Sequence, residues 1–167
     1  MKKVFAILLT LVLILTNGIT VLAEEVSTPP ANQISADPNS SFTTVWFDTS
    51  EDAIEETRNG EDGLKIVMAH SGISRSGSSA VIAYAETVSN ISAGLIGGTV
   101  RVQRWSNNSW NTYYSFIFEA YNTTSASVTR TVSVEPGYYY RVRVAHYAVT
   151  AYTTASKSTT TESIYLN

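Results

Sequence analysis

His70 and His146 are the only two histidines in 167 residues, and the chain contains no cysteine. Those facts bound the chemistry. Thiolate metal sites, cysteine nucleophiles, disulfides and thiol redox work are excluded. A three-histidine metal site is excluded too, and a histidine–carboxylate site has few groups to draw on. His70 follows an apolar run and precedes Ser71-Gly72, while His146 shares the alternation of Val142 and Val144. As a pair they could bind a metal or pass a proton. Taken singly they are strand histidines with local hydrogen bonds, the preferred reading because no third ligand is visible.

Acid–base catalysis needs two carboxyl groups held in contrasting environments. Ten of the 14 acids fall in residues 24–63, and the remaining four (Glu86, Glu119, Glu135, Glu162) are scattered. No pair declares itself. The serine-rich stretch Gly72-Ile73-Ser74-Arg75-Ser76-Gly77 lacks the Gly-x-Ser-x-Gly spacing of a nucleophile elbow. A serine triad is assembled in space and stays open at this point. No catalytic, metal-ligating or cofactor-binding residue is assigned, and a non-enzymatic protein without a cofactor is expected.

Binding chemistry is better represented. Trp105 and Trp110 flank the polar turn Ser106-Asn107-Asn108-Ser109, with Tyr113 just beyond. Flat rings with a polar handle suit sugars and protein partners alike. The competing role is cross-strand packing, the commoner use of such rings. Trp110, Thr112, Tyr114, Phe116 and Phe118 share one face by period two, and its four aromatic residues are assigned to the core, which turns Tyr113 the other way. Arg101, Arg141 and Arg143 alternate with valines, so they should line one wet face. That face could receive the acidic residues 48–62, or an anionic polymer of the cell wall.

The elements that must position these groups are mostly strands. Residues 64–68, 80–86, 99–105, 110–120, 127–134, 138–149 and 161–166 alternate apolar with polar residues or carry β-branched runs. A loop is expected over 71–79, punctuation over 94–98, and a polar turn over 122–126. Residues 42–47 add a further short strand, and 48–58 have helical character, with acids suited to a helix N-terminus. Seven or eight short strands without a strong helix predict an all-β fold, a single antiparallel β-sandwich over 64–167. Ahead of it come a flexible tail (24–41) and an acidic segment (42–63).

Residues 1–23 have the order of a secretory signal peptide: Lys2-Lys3, an apolar run from Val4, then Val21-Leu22-Ala23 before Glu24. The run is shorter than the roughly 20 residues of a spanning helix. Cleavage after Ala23 and an extracellular location are expected, with membrane contact only during export. Loss of Lys2 and Lys3 takes the charge from −3 to −5. It is unevenly spread: residues 24–63 hold ten acids and one base, residues 64–167 eight bases and four acids. So weak a basic excess on an exported domain argues against nucleic acid. Wall polysaccharide or a surface protein is the expected partner.

The run Val134-Glu135-Pro136-Gly137-Tyr138-Tyr139-Tyr140-Arg141-Val142-Arg143-Val144 resembles the E–F corner of fibronectin type III and related immunoglobulin-like sandwiches. The resemblance makes Pro136 and Gly137 the turn and Tyr140 the corner tyrosine, its hydroxyl bonded to nearby backbone. Unlike type III domains, the early strand 80–86 carries no tryptophan. More widely, the Gly/Ser loop, Gln103-Arg104, the Trp105–Trp110 hairpin, Gly137-Tyr138-Tyr139-Tyr140-Arg141-Val142 and Thr161-Glu162-Ser163-Ile164-Tyr165 are together similar to a family of small secreted Gram-positive bacterial proteins classed as a domain of unknown function. That likeness implies secretion and a small β domain, and no activity.

Overall fold

A computed structural model describes residues 28–46 and 63–167. The expected signal peptide, the start of the tail and the expected helix over 48–58 lie outside the described residues. The rest is antiparallel sheet, with one 3-10 turn (Ala31–Gln33) and no α-helix among the described residues.

Seven strands follow in chain order: β1 (Ser40–Trp46), β2 (Ile66–Arg75), β3 (Ala80–Ser106), β4 (Ser109–Ser133), β5 (Tyr138–Val149), β6 (Thr154–Thr160) and β7 (Ile164–Leu166). β3 is the spine. Along one edge it pairs with β4 for nearly its whole length. Along the other its first part pairs with β2 and its second part with β5. β1 extends from β2, while β6 and β7 extend from β5.

Period-two sequence explains which face is hidden. Val81, Ala83, Ala85, Ile96, Val100 and Val102 of β3 are buried, as are Val142, Val144 and Ala148 of β5. Each buried valine or isoleucine contributes about 1.5–3 kcal/mol. The intervening residues face outward. β2 also comes close to β5 and β6. The Thr43 hydroxyl of β1 donates to the Thr160 carbonyl of β6 at 3.1 Å. The sheet is thereby curled until its two ends nearly meet.

Two expected interruptions are bends inside single strands. β3 runs through Gly94, Gly97 and Gly98, with its pairing shifted between Val88 and Ala93. β4 runs through Asn122, which takes a left-handed φ of 53°. A local twist relieved by a bulge or a left-handed residue bends a strand without ending it. β2 likewise continues through residues 71–75, expected as loop. The expected closing strand over 161–166 is shortened to β7, and ahead of it lies β6, a strand not expected because it is too rich in serine and threonine to show an apolar period. From residue 28, the expected tail is tied down. Ile34 bridges Ser163 in parallel, and the Ser163 amide donates to the Gln33 carbonyl at 2.6 Å.

Candidate binding face

Buried Val100, Val102, Val142 and Val144 force the residues between them onto the outer face of β3 and β5. Register then sets Arg101 opposite Arg143 and Gln103 opposite Arg141. Arg141 is held tightly. Its Nε donates to Gln103 Oε1 at 2.9 Å, and its guanidinium lies 4.3 Å from the centre of the Trp110 ring. Burial, and then the charge of Arg143, lower its affinity for its proton from the ordinary arginine value. Arg101 and Arg143 have no acidic partner among the described residues, where the one ion pair is Arg104–Glu135 at 2.6 Å. Like charges placed opposite each other across strands destabilise a sheet by about 0.2–1 kcal/mol. An anion lying over them would reverse that sign.

The hairpin adjoins this strip. Asn107 and Asn108 have φ of 53° and 54°, the left-handed pair that a two-residue turn requires. Trp105 and Trp110 therefore pair across the strands, edge to face, 5.2 Å apart. The Trp110 indole N–H donates to Gln33 Oε1 at 2.8 Å, so the N-terminal segment fastens onto the same face.

Trp110 was expected on the face of Phe116 and Phe118. The ladder skips Tyr113, because Val102 pairs Tyr114 while Gln103 pairs Thr112. That bulge reverses the alternation, so Phe116 and Phe118 are buried and Trp110 joins Trp105 outside. Tyr114, also assigned to the core, is exposed.

Tyr113 belongs to a second cluster at the strand ends. It lies 5.8 Å from the Tyr140 ring, and Arg104 stacks over both Tyr113 and Tyr138 at 5.2 and 4.4 Å. Trp105, Trp110 and Tyr113 thus do not make one patch. The Tyr140 hydroxyl donates to the Glu135 carbonyl at 2.8 Å, across the turn of Pro136 and Gly137. Burial pushes the Tyr140 hydroxyl up to about 12, partly opposed by Arg104. Gly137 has φ 87°, and its amide donates to the Leu166 carbonyl at 2.7 Å, which closes the turn onto β7.

The histidines take separate partners. His146 is 1% exposed. Its Nδ1 lies 2.8 Å from the Thr87 hydroxyl, which itself donates to the Gly97 carbonyl. The Thr87 oxygen is then left to accept from Nδ1–H, and Nε2, 2.8 Å from Thr159, accepts that hydroxyl's proton. This is the arrangement of the neutral ring with its proton on Nδ1. Burial, and secondly the charge of His70, lower its pKa to about 4. His70 packs edge-on against Phe42 and Tyr84, at 6.0 and 4.9 Å. Among the described residues no group of three or more His, Asp or Glu is placed to hold a metal, and no helix is long and apolar enough to cross a membrane.

Sequence reasoning missed Gln33 and Gln103, which orient Trp110 and Arg141. Neither carries a local signal, because the contacts join residues 77 and 38 positions apart. No family model, no curated protein and no solved structure matches the chain.

Proposed function

We propose that this is a secreted, non-enzymatic binding domain that takes up an anionic polysaccharide of the cell surface on the outer face of β3 and β5. The observation that carries the reading is the opposed pair Arg101 and Arg143, with Arg141 next to them and no acid on the strip among the described residues. Such a charge cluster is an unfavourable way to build a wet sheet face and a favourable way to meet spaced anionic groups. Trp105 and Trp110 adjoin it, offering apolar ring surface to the sugar between the charges. Arg141 couples the two parts through its stack on Trp110. Export, read from residues 1–23, supplies the compartment. The fold reads as an immunoglobulin-like sandwich. The close approach of β2 to β5 and β6, and the Tyr140 bond to Glu135, support this.

Co-sedimentation with purified anionic wall polymer tests the proposal, with a neutral glucan as comparison. The wild type should pellet with the anionic polymer and be released as salt screens the charges. The Arg101→Ser/Arg143→Ser variant should bind at least about tenfold more weakly, a loss of about 1.4 kcal/mol. Equal binding by that variant overturns the proposal. Undiminished binding to both polymers that is lost in Trp110→Ala would replace it with neutral sugar recognition by the hairpin.

A further inference from the structure

Among the described residues β4 pairs with β3 alone, so its other edge presents there an unpaired row of backbone donors and acceptors. Soluble proteins usually blunt such an edge with lysine, proline or a very short strand. Residues 114–121 have none of these. They read Tyr-Ser-Phe-Ile-Phe-Glu-Ala-Tyr, and the stretch pairs with β3 without a register shift between the bulge at Tyr113 and the left-handed Asn122. Ile117 is 63% and Tyr121 67% exposed. The single charge, Glu119, is turned away from the edge. Its carboxylate reaches back across Gly97, taking the Tyr147 hydroxyl at 2.5 Å.

We infer that this edge pairs antiparallel with the same edge of a second copy of the chain, about a two-fold axis at Ile117. The sequence is self-complementary about that residue. Ile117 meets Ile117 of the other copy, Phe116 meets Phe118, Tyr114 meets Ala120, and Ser115 meets Glu119. The two Glu119 carboxylates then stand about 14 Å apart along the strands, four residues at roughly 3.4 Å each. Moving the axis to Phe118 sets Ile117 against Glu119, and moving it to Glu119 opposes the two carboxylates. Only the Ile117 register buries the exposed isoleucine on its own kind. Seven paired residues supply about six to eight main-chain hydrogen bonds, within the range of a specific interface. The two-fold pairing uses the edge in both copies, so it closes at a dimer and does not propagate. At the other side of the sheet, β1 and β6 are already drawn together by the Thr43–Thr160 bond.

Sedimentation of the full chain over a concentration series, with two substitutions, tests the inference. The wild type should dimerise, and Ile117→Lys should weaken the dimer at least about tenfold by opposing two ammonium groups on the axis. Its far-ultraviolet spectrum should match the wild type, because Ile117 is outside the core. The chain has no cysteine, so Ile117→Cys should oxidise to a disulfide-linked dimer. Thr129→Cys, on the exposed far arm of β4, should not. A wild type monomeric at every concentration overturns the inference. So does a dimer indifferent to Ile117→Lys, or equal cross-linking at both cysteine positions.

Discussion

His146 shows how a single buried group sets a pH limit. Its folded pKa of about 4 lies below the 6.5 of an unfolded chain, so the unfolded state binds the proton first. Its contribution is fully present above pH 6.5 and is lost as pH falls toward 4. A gap of that size corresponds to about 3 kcal/mol. Urea unfolding at pH 7.5 and pH 4 should show a stability loss about 3 kcal/mol larger in the wild type than in His146→Gln. Equal losses would show that His146 titrates in the folded chain as it does in the unfolded one. At this scale the sequence was informative about type and face: it puts His146 on the side of Val142 and Val144. It was silent about Thr87 and Thr159, the partners that make a buried imidazole tolerable, because threonine is ordinary in any strand.

Among the elements, β3 carries the fold, and Gly97 is its tightest point. A Cβ there would lie 2.0 Å from the Phe118 carbonyl oxygen and 2.9 Å from the Glu119 Cα. Both are backbone atoms of β4 and neither can swing away. Gly97→Ala should therefore cost at least about 3 kcal/mol, the upper end of overpacking or beyond. Gly94→Ala, whose nearest new neighbour is a carbonyl oxygen at 3.5 Å, should unfold close to the wild type in the same urea titration. A tolerated Gly97→Ala would mean that β4 can move away from β3 without loss. The glycines over 94–98 look like punctuation in sequence because glycine weakens a strand. Here the close approach of β4 makes glycine a requirement of the strand. The bulge at Tyr113 was illegible for a related reason. It arises in the ladder with β3, and period two read along one strand carries the wrong phase past it. Trp110 changed faces on that account, whereas Arg101, Arg141 and Arg143 lie on unbroken alternation with buried valines.

Over the whole molecule, charge is unevenly divided. The acids concentrate in residues 24–63 and the bases in the sheet domain, where three arginines gather on one outer face. The N-terminal segment is drawn onto that face through Gln33, at the Trp110 end, and leaves Arg143 exposed. The antiparallel all-β character was legible from alternation alone. The curling that brings β1 beside β6 was not, since it depends on bends within β3 and β4. The strip itself needed only the valine–arginine alternation of two strands, plus the register that sets Arg101 against Arg143. Nuclear magnetic resonance mapping of the side-chain signals during titration with an anionic wall polysaccharide tests this reading most directly. The guanidinium signals of Arg101, Arg141 and Arg143 and the indole signal of Trp110 should shift together, and added salt should reverse the shifts. Shifts confined to other surfaces, or none at polymer levels that saturate binding, would contradict it.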